Sequence, residues 1–173
     1  MSSSSNTLVV RLNPAARRAV VQQYTISGSP VIVGDPSSVL HWRIFVKCAY
    51  GDYSCTVKLD LIPGQDGRTG VLMVTTVPYE LSSSSAAHVS HHATTPITID
   101  QLLQTLQQRY RDRYMYDDTG SGCRYWCRTV LQDLEVLRLV SAGACQEFDG
   151  YVVSWNQQHP ARFPLPTRQG TFY

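Results

Sequence analysis

Alternation of apolar and polar side chains is the dominant pattern in the first half of the chain. It runs through residues 7–12 and 19–26, with Gly and Pro residues supplying the breaks that follow. Two longer runs, 39–48 and 53–62, are rich in β-branched and aromatic residues and flank the turn-like segment 49–52. A period of two is typical of strands, and two such runs around a short turn favour a β-hairpin. The pattern therefore predicts strands or extended arms at the start and an antiparallel hairpin after them.

A third strand and three irregular regions complete this prediction. Residues 70–77 follow a Gly-containing turn and predict a strand that extends the hairpin into a small antiparallel sheet. Residues 82–96 are a low-complexity polar stretch with too little apolar area to order itself, so we expect a mobile loop. We also expect a polar N-terminal tail over 1–6 and an extended tail over 159–173.

Helical periodicity appears in the second half of the chain. Thr98 and Gln101 have the spacing of a capping box, which predicts a helix start there. A second helix is predicted from about Cys123 to Val140, and the apolar run 151–155 predicts a final strand. The fold class that follows is α+β, a small antiparallel sheet packed on two helices. The first helix is expected to bury a stripe of apolar residues: Ile99, Leu102, Leu103, Leu106 and Tyr110.

Length and composition favour one compact domain. The chain has 173 residues, of which 43% are hydrophobic and 16% are charged, a balance that supports a buried core. The formal net charge is only +2, which disfavours a nucleic-acid partner. No apolar window approaches a membrane span, and the serine-rich start has no signal-peptide pattern. Five irregularly spaced cysteines favour reduced thiols and a cytoplasmic location, and we expect a single domain over 1–173.

A cysteine at the start of the second predicted helix is the first candidate for chemistry. Cys123 follows a Gly-Ser-Gly loop, so free N–H groups and the positive end of the helix dipole would stabilise its thiolate. The same N–H groups would receive an oxyanion after attack on a carbonyl. The alternative interpretation of such a cysteine is a small buried hydrophobic residue.

The predicted hairpin supplies a base for this thiol. With a four-residue turn, His41 pairs with Asp60 on one face and Trp42 pairs with Leu59 on the apolar face, and a register change of two residues preserves both faces. A carboxylate beside an imidazole supports the imidazolium, and the other ring nitrogen accepts the thiol proton. Cys123, His41 and Asp60 thus form a predicted catalytic triad. The alternative is a strand histidine whose hydrogen bonds Asp60 satisfies.

Four further residues complete the predicted site. Arg43 and Lys58 lie on the strand face of the predicted triad and would bind a carboxylate or phosphate of a substrate, or else form a solvated face. Arg124 and Tyr125 follow the predicted nucleophile and are included as substrate-binding residues. The three histidines in 82–96 have no cysteine or carboxylate beside them, so we expect no metal, and we expect no cofactor.

Two segments resemble a known family. His41–Val46 (HWRIFV) resembles the His-containing strand of the lecithin:retinol acyltransferase-like proteins, and Gly122–Trp126 (GCRYW) resembles their cysteine-bearing helix start. The order, His before Cys, is that of the circularly permuted NlpC-type papain-like proteins, which include permuted deubiquitinase-like and deSUMOylase-like proteins. The resemblance implies a permuted papain-like fold with Cys123 as nucleophile, His41 as base and Asp60 near a variable orienting position.

The chain as a whole resembles a domain family of filamentous fungi that brings no established activity. This resemblance rests on the Leu-Asp-Leu strand, the Gly-Cys-Arg-Tyr-Trp helix start and the closing segment Pro166–Tyr173. Gly122 stands where the acyltransferase-like family has Asn, and no second His follows His41 along the hairpin. These departures, with the lack of a hydrophobic C-terminal anchor, disfavour a lipid substrate at a membrane.

The combined features predict a thiol-dependent acyl-group enzyme. It would be a hydrolase or acyltransferase that acts on an amide, ester or thioester through a Cys-His-Asp triad, with a small-molecule or acyl/peptide substrate as its partner. One alternative is a small-molecule cyclase, isomerase or ligand-binding protein of fungal secondary metabolism that reuses the pocket beside Cys123. Another alternative is a non-catalytic interaction module.

Overall fold

The computed structural model describes residues 7–173, so the predicted polar tail over 1–6 lies outside the described residues. Strands dominate the first half of the described chain and helices the second half. In chain order the elements are β1 (Leu8–Arg11), α1 (Pro14–Arg18), β2 (Val20–Pro30), β3 (Leu40–Tyr50), β4 (Tyr53–Pro63), β5 (Gly70–Val77), β6 (Ala87–His92), α2 (Ile99–Gln108), β7 (Tyr114–Met115), α3 (Cys123–Val136), α4 (Ala144–Gln158) and β8 (Thr171–Phe172).

One sheet organises residues 7–173, with its six strands in the order β1-β5-β4-β3-β2-β6. Neighbouring strands are antiparallel except β1 and β5, which run parallel. The fold class is α+β, as predicted. The sheet is larger than the one expected, because β1 adds to one edge and β6 to the other, and the described chain has four helices where two were expected.

The hairpin of β3 and β4 is confirmed, but its turn is shorter than expected. The turn contains two residues instead of four, and Gly51 adopts the positive φ of +58° that such a tight reversal requires. Leu59 consequently pairs with Ile44 and not with Trp42, so the predicted pairing is wrong by two residues. Because the shift is an even number, every side chain keeps its predicted face.

The segment 82–96 was expected to be a loop, and that expectation is wrong because the segment contains β6. β6 pairs antiparallel with β2, and its Ala87, Val89 and His91 are buried while the residues between them are exposed. This is the period of two of a strand with one buried face. The low-complexity composition obscured this period in the sequence. The edge of β2 supplies the backbone hydrogen-bond partners that the segment lacks on its own.

The capping box at the start of α2 is confirmed. The Gln101 N–H donates to the Thr98 hydroxyl at 3.2 Å, and the Thr98 N–H donates to Gln101 Oε1 at 2.8 Å. Tyr110 lies beyond the helix end with a φ of +57° and is exposed, so its assignment to the core is wrong. The other members of the predicted stripe are buried as expected: Ile99, Leu102, Leu103 and Leu106.

The second half contains one more helix than predicted. α3 begins where expected but ends at Val136, since Arg138 adopts a φ of +59° that does not continue a helix. The run 151–155, predicted as a strand, lies within α4. Phe148 and Val152 are four residues apart and both buried, which is the spacing of a helix face. The apolar run was too short to distinguish a strand from part of a helix.

The tail over 159–173 is extended only in part. Phe163 is buried and packs edge-on against Trp42, with 5.9 Å between the ring centroids. The end of the chain forms β8, which pairs with β7. Trp126 on α3 and Trp42 on β3 belong to the same core cluster, so this core fixes α3 and the tail against the hairpin.

The observed register makes a prediction about two cysteines. Cys48 and Cys55 lie directly opposite each other, with Sγ atoms 3.3 Å apart and no bond between them. A small movement brings two sulfurs to the disulfide distance of about 2 Å. A mild thiol oxidant such as diamide is therefore expected to join Cys48 to Cys55 within one chain, as checked by peptide mapping of the oxidised protein. The Cys55→Ser variant is the control. A disulfide that joins either cysteine to another partner instead would contradict this register.

Candidate active site

Cys123 is the first residue of α3, and Gly122 is the N-cap before it. Gly122 has a φ of +137°, which side chains rarely adopt, and a Cβ there would collide with the Tyr114 hydroxyl. That hydroxyl donates to the Gly122 carbonyl at 2.9 Å and accepts the Gly170 N–H at 2.8 Å. These contacts give the physical reason for glycine at position 122.

His41 on β3 and Asp60 on β4 form the second part of the site. His41 Nε2 lies 2.7 Å from Asp60 Oδ1, and Arg43 Nε donates to Asp60 Oδ2 at 2.8 Å. Continuing the observed register places Arg43 directly opposite Asp60 and His41 one position diagonal to it. The predicted direct pairing of His41 with Asp60 is therefore wrong. The predicted shared face is correct, and it places both His41 and Arg43 against the buried Asp60 carboxylate.

The hairpin strands separate beyond Ile44, and the thiol occupies the place where their ladder stops. The Trp42 N–H donates to Cys123 Sγ at 3.4 Å instead of to a carbonyl of β4. On the facing strand, the Leu61 carbonyl accepts the Tyr116 hydroxyl. Both strands thus find hydrogen-bond partners outside the sheet, which seats the start of α3 against the end of the hairpin.

The imidazole of His41 also lies beside the Cys123 thiol, and each of the two groups shifts the pKa of the other. Because Asp60 engages Nε2, Nδ1 is the ring nitrogen that remains for the sulfur. The side chains therefore form a continuous series from thiol to imidazole to carboxylate. All three residues predicted as a triad lie together.

Electrostatics favour the charged form of each member. Burial opposes ionisation of Cys123 most strongly, but the neighbouring His41 imidazole and two backbone N–H groups lower the pKa of the thiol below its usual value. Burial also opposes protonation of His41, yet Asp60 and Cys123 raise the pKa of its imidazole to about 9. Burial raises the pKa of Asp60, and His41 and Arg43 together outweigh it and bring this pKa to about 2. Imidazolium and carboxylate are thus the forms favoured near neutral pH, and the Cys123 thiol ionises more readily than an ordinary cysteine.

A cavity of about 500 Å³ opens beside Cys123 and His41. Its walls come from the end of β2, the start of β3, the loop 120–122 and the tail. One side is apolar, with Val39 and Ile62 among the lining residues. This volume suits a small molecule or the end of a longer chain.

The two predicted substrate-binding residues of the hairpin differ in their placement. Arg43 lines the cavity, but its guanidinium is bound to Asp60. Lys58 lies 3.5 Å from the same carboxylate and stands outside the cavity lining. Both side chains therefore stabilise the charge of Asp60, which sets the state of His41.

The other two predicted substrate-binding residues contact the tail. Arg124 is buried and donates to the Pro164 carbonyl and, at 3.0 Å, to Thr167 Oγ1. Arg124 also lines the cavity, but its guanidinium Nη2 holds the chain end in place. Tyr125 packs against Phe172, with 6.2 Å between ring centroids, and lines a separate, smaller pocket. The structure thus does not bring the Tyr125 ring to the main cavity.

A family model described as a domain of unknown function, DUF7770, matches residues 27–173. The chain belongs to the DUF7770 family. The matched range includes His41, Asp60 and Cys123, so the whole constellation lies within the family's domain. No curated protein and no solved structure matches the chain.

Two arginines in the cavity wall of this DUF7770 chain were not predicted from the sequence. Arg162 and Arg168 lie in the tail, far from Cys123 along the sequence, yet both line the cavity beside it. No local pattern around either arginine indicates this, because their position follows from the packing of Phe163 against Trp42. Within residues 7–173, no group of three or more His, Cys, Asp or Glu side chains is placed to hold a metal ion. The helices of the same range are all too short or too polar to cross a membrane.

The lowered pKa of Asp60 predicts how stability depends on pH. Its pKa is about 2 in the folded chain against a usual value of 3.8, so the unfolded chain takes up the proton first as pH falls. The stabilisation is present above pH 3.8 and is lost as pH falls towards 2. At neutral pH, Asp60→Asn is expected to lower the free energy of unfolding by about 2 kcal/mol, because the partly buried His41 and Arg43 lose their charged partner.

Urea unfolding of the DUF7770 chain at several pH values checks this expectation. The difference in free energy of unfolding between the natural chain and Asp60→Asn should shrink as the solution is acidified from pH 3.8 towards pH 2. Asp149→Asn, which removes one partner of an exposed ion pair with Arg128, is the control and should change stability little. A difference that stays constant over this range would contradict the lowered pKa.

Proposed function

We propose that this chain is a thiol-dependent acyl-group enzyme, a hydrolase or acyltransferase. The observation that carries the proposal is His41, whose imidazole joins the buried Asp60 carboxylate to the Cys123 thiol at the wall of a cavity. An amide, ester or thioester carbonyl placed in that cavity would meet the sulfur and the base together.

A comparison within α3 supports a chemical role for Cys123. Cys127 lies one turn further along the same helix, and its full burial raises the pKa of its thiol well above the usual value. Cys123 is partly buried, and burial likewise opposes its ionisation, yet its pKa is lowered. A cysteine that served only as a small core residue would follow Cys127, so the difference reflects the partners that surround Cys123.

The proposed reaction proceeds through an acyl-enzyme. The Cys123 thiolate attacks the carbonyl carbon, and the carbonyl electron pair moves to oxygen, where N–H groups at the start of α3 stabilise the oxyanion. The tetrahedral intermediate collapses, the bond to the leaving group breaks, and the leaving group takes the proton from His41. Water or an amine then attacks the thioester and gives a proton to His41, and release of the acyl product restores the thiolate and imidazolium.

A permuted papain-like relationship is part of the proposal. It is supported by the order of the site residues, with the histidine on a strand that precedes the cysteine-bearing helix, and by the seating of that helix start against the strand. The free state of the described cysteines fits a reducing compartment, so we propose a cytoplasmic location.

Acyl-enzyme formation provides the test of this function. The chain is incubated with a panel of activated esters, thioesters and aminoacyl donors, and the adduct is detected by intact mass and mapped to a residue. We expect an acyl adduct on Cys123. Cys123→Ala should abolish it while leaving the fold intact, and His41→Ala should slow it by about 10²–10⁴-fold because the base is lost.

Cys55→Ala is the matched control, since Cys55 is the other cysteine that is only partly buried. It should leave acylation unchanged. Equal acylation of Cys55 and Cys123, or turnover that survives Cys123→Ala, would refute the acyl-enzyme route and favour a cyclase, isomerase or binding protein that uses the same cavity.

A further inference from the structure

The tail contributes positive charge to the cavity wall. Arg162 and Arg168 both line the cavity beside Cys123. Among the residues that the structure describes, no Asp or Glu side chain lines this cavity. Because apolar residues such as Val39 and Ile62 share the lining, a charge inside the cavity is screened less than in open water. The cavity therefore favours a ligand with a negative charge.

Arg162 has hydrogen-bonding capacity that its neighbours do not use. Its Nε–H is shielded from solvent and has no hydrogen-bond partner within residues 7–173. The nearby Asp35 carboxylate accepts from the Ser37 N–H at 2.8 Å and from the Ser37 hydroxyl at 2.7 Å, both at Oδ1, and within residues 7–173 it forms no ion pair with Arg162. Hydrogen bonds from Ser37, and to a lesser degree the charge of Arg162, lower the pKa of Asp35. An unpaired guanidinium at a cavity wall is unusual in a folded protein and points to a missing partner.

Arg168 is held only loosely. Its guanidinium lies 3.5 Å from Asp117, and its side chain is 60% exposed. An exposed ion pair at this distance contributes little, so Arg168 is able to turn towards a ligand at small cost. By contrast, the Arg43 guanidinium is fixed by its hydrogen bond to Asp60, which also binds His41.

Packing fixes the position of Arg162 relative to the nucleophile. The next residue, Phe163, is buried between Trp42 and Trp155, with ring centroids 5.9 and 5.7 Å away. The Phe163 carbonyl also accepts Asn156 Nδ2 at 2.7 Å. Because Trp42 donates its N–H to Cys123 Sγ, the same tryptophan contacts both the anchor of Arg162 and the thiol. The backbone at Arg162 is thus held in place relative to the sulfur.

We infer that the substrate is an acyl compound that carries a negatively charged carboxylate or phosphate group. Arg162 and Arg168 bind this group while the substrate carbonyl lies at Cys123. This inference rests on the proposed function and specifies its substrate class. Guanidinium groups bind planar carboxylates and phosphates through paired N–H donors. The apolar wall at Val39 and Ile62 would contact the hydrocarbon part of the same molecule.

Two alkylating agents of equal reach test the anion site without any acyl transfer. Iodoacetate and iodoacetamide both place the same methylene on the sulfur and expel iodide, but only iodoacetate carries a charge. The measured quantity is the ratio of their rates at Cys123, read by peptide mapping. We expect the double variant Arg162→Gln/Arg168→Gln to lower the iodoacetate to iodoacetamide ratio by about tenfold.

The neutral reagent serves as an internal control, because a general disturbance of the fold or of the thiol changes both rates and cancels in the ratio. Arg128→Gln is the matched surface control, since Arg128 lies on α3 outside the main cavity and pairs with Asp149. It should leave the ratio unchanged. A ratio that is the same in the natural chain and in the double variant would overturn the inference. The exposed Arg168→Gln alone should already lower the ratio.

Matched acyl donors separate the substrate class from the proposed function. The first set consists of thioesters of a neutral thiol with succinyl, glutaryl or adipyl groups, each of which carries a carboxylate. The second set has uncharged acyl groups of equal carbon number on the same thiol. The third set places the carboxylate on the thiol leaving group. We expect a charged set to acylate Cys123 faster than the neutral set, and the double variant to remove the preference.

The outcomes for the two proposals are distinct. Equal rates for all sets, unaffected by the arginines, would overturn the anion site and leave the acyl-group enzyme standing. If no donor acylates Cys123, calorimetric binding of glutarate and of inorganic phosphate to Cys123→Ala decides the anion site. Binding that weakens about tenfold in the double variant supports it, and binding independent of the arginines overturns it.

Discussion

The Asp60 carboxylate, bound between His41 and Arg43, is the interaction on which the site depends. One carboxylate oxygen contacts the imidazole at 2.7 Å and the other accepts the guanidinium at 2.8 Å, in a place where the Asp60 side chain is only 8% exposed. Burial would otherwise leave His41 neutral and the Cys123 thiol protonated. Because Asp60 stays ionised, the imidazole holds its proton, and its positive charge favours ionisation of the sulfur. The local charge balance thus sets the chemistry of the thiol.

The fold builds this balance from a break in regular structure. β3 and β4 pair tightly near their turn and separate towards the other end, where Trp42 turns its N–H to the Cys123 sulfur. Gly122 allows α3 to begin at this gap, because only a residue without a side chain fits beneath the Tyr114 hydroxyl. The core beneath, with Trp42 and Trp126, fixes the helix against the strand. The regular ladder near the turn thus holds the two strands together, and the site lies at the other end of the hairpin, where the ladder has stopped.

Much of this arrangement could be predicted from local sequence. The face shared by His41 and Asp60 followed from the period of two, and it survived an error of two residues in the turn because an even shift preserves faces. The start of α3 at Cys123 followed from a glycine-rich loop before a helical repeat. Periodicity and turn residues are local signals. They therefore predicted the elements whose structure depends on neighbouring residues in the sequence.

The remaining features depend on contacts that a single sequence does not display. β6 is a strand because the edge of β2 is free to pair with it, although its own composition resembles a loop. Arg124 was assigned to substrate from its place beside Cys123, while its guanidinium contacts a tail that returns from the far end of the chain. Arg162 reaches the cavity through the same return. Tertiary packing decided each of these positions, and it overrode local propensity in β6.

The charge state of Cys123 is the central claim, and the ultraviolet absorbance of its thiolate measures it most directly. The titration is recorded between about pH 9 and about pH 4 as a difference between the natural chain and Cys123→Ala, and then repeated in Asp60→Asn. We predict that the thiolate persists well below the ordinary cysteine pKa of about 8.5, and that Asp60→Asn moves its titration upward. A thiol that titrates near 8.5 in the natural chain and is insensitive to Asp60 would contradict the charge balance described above.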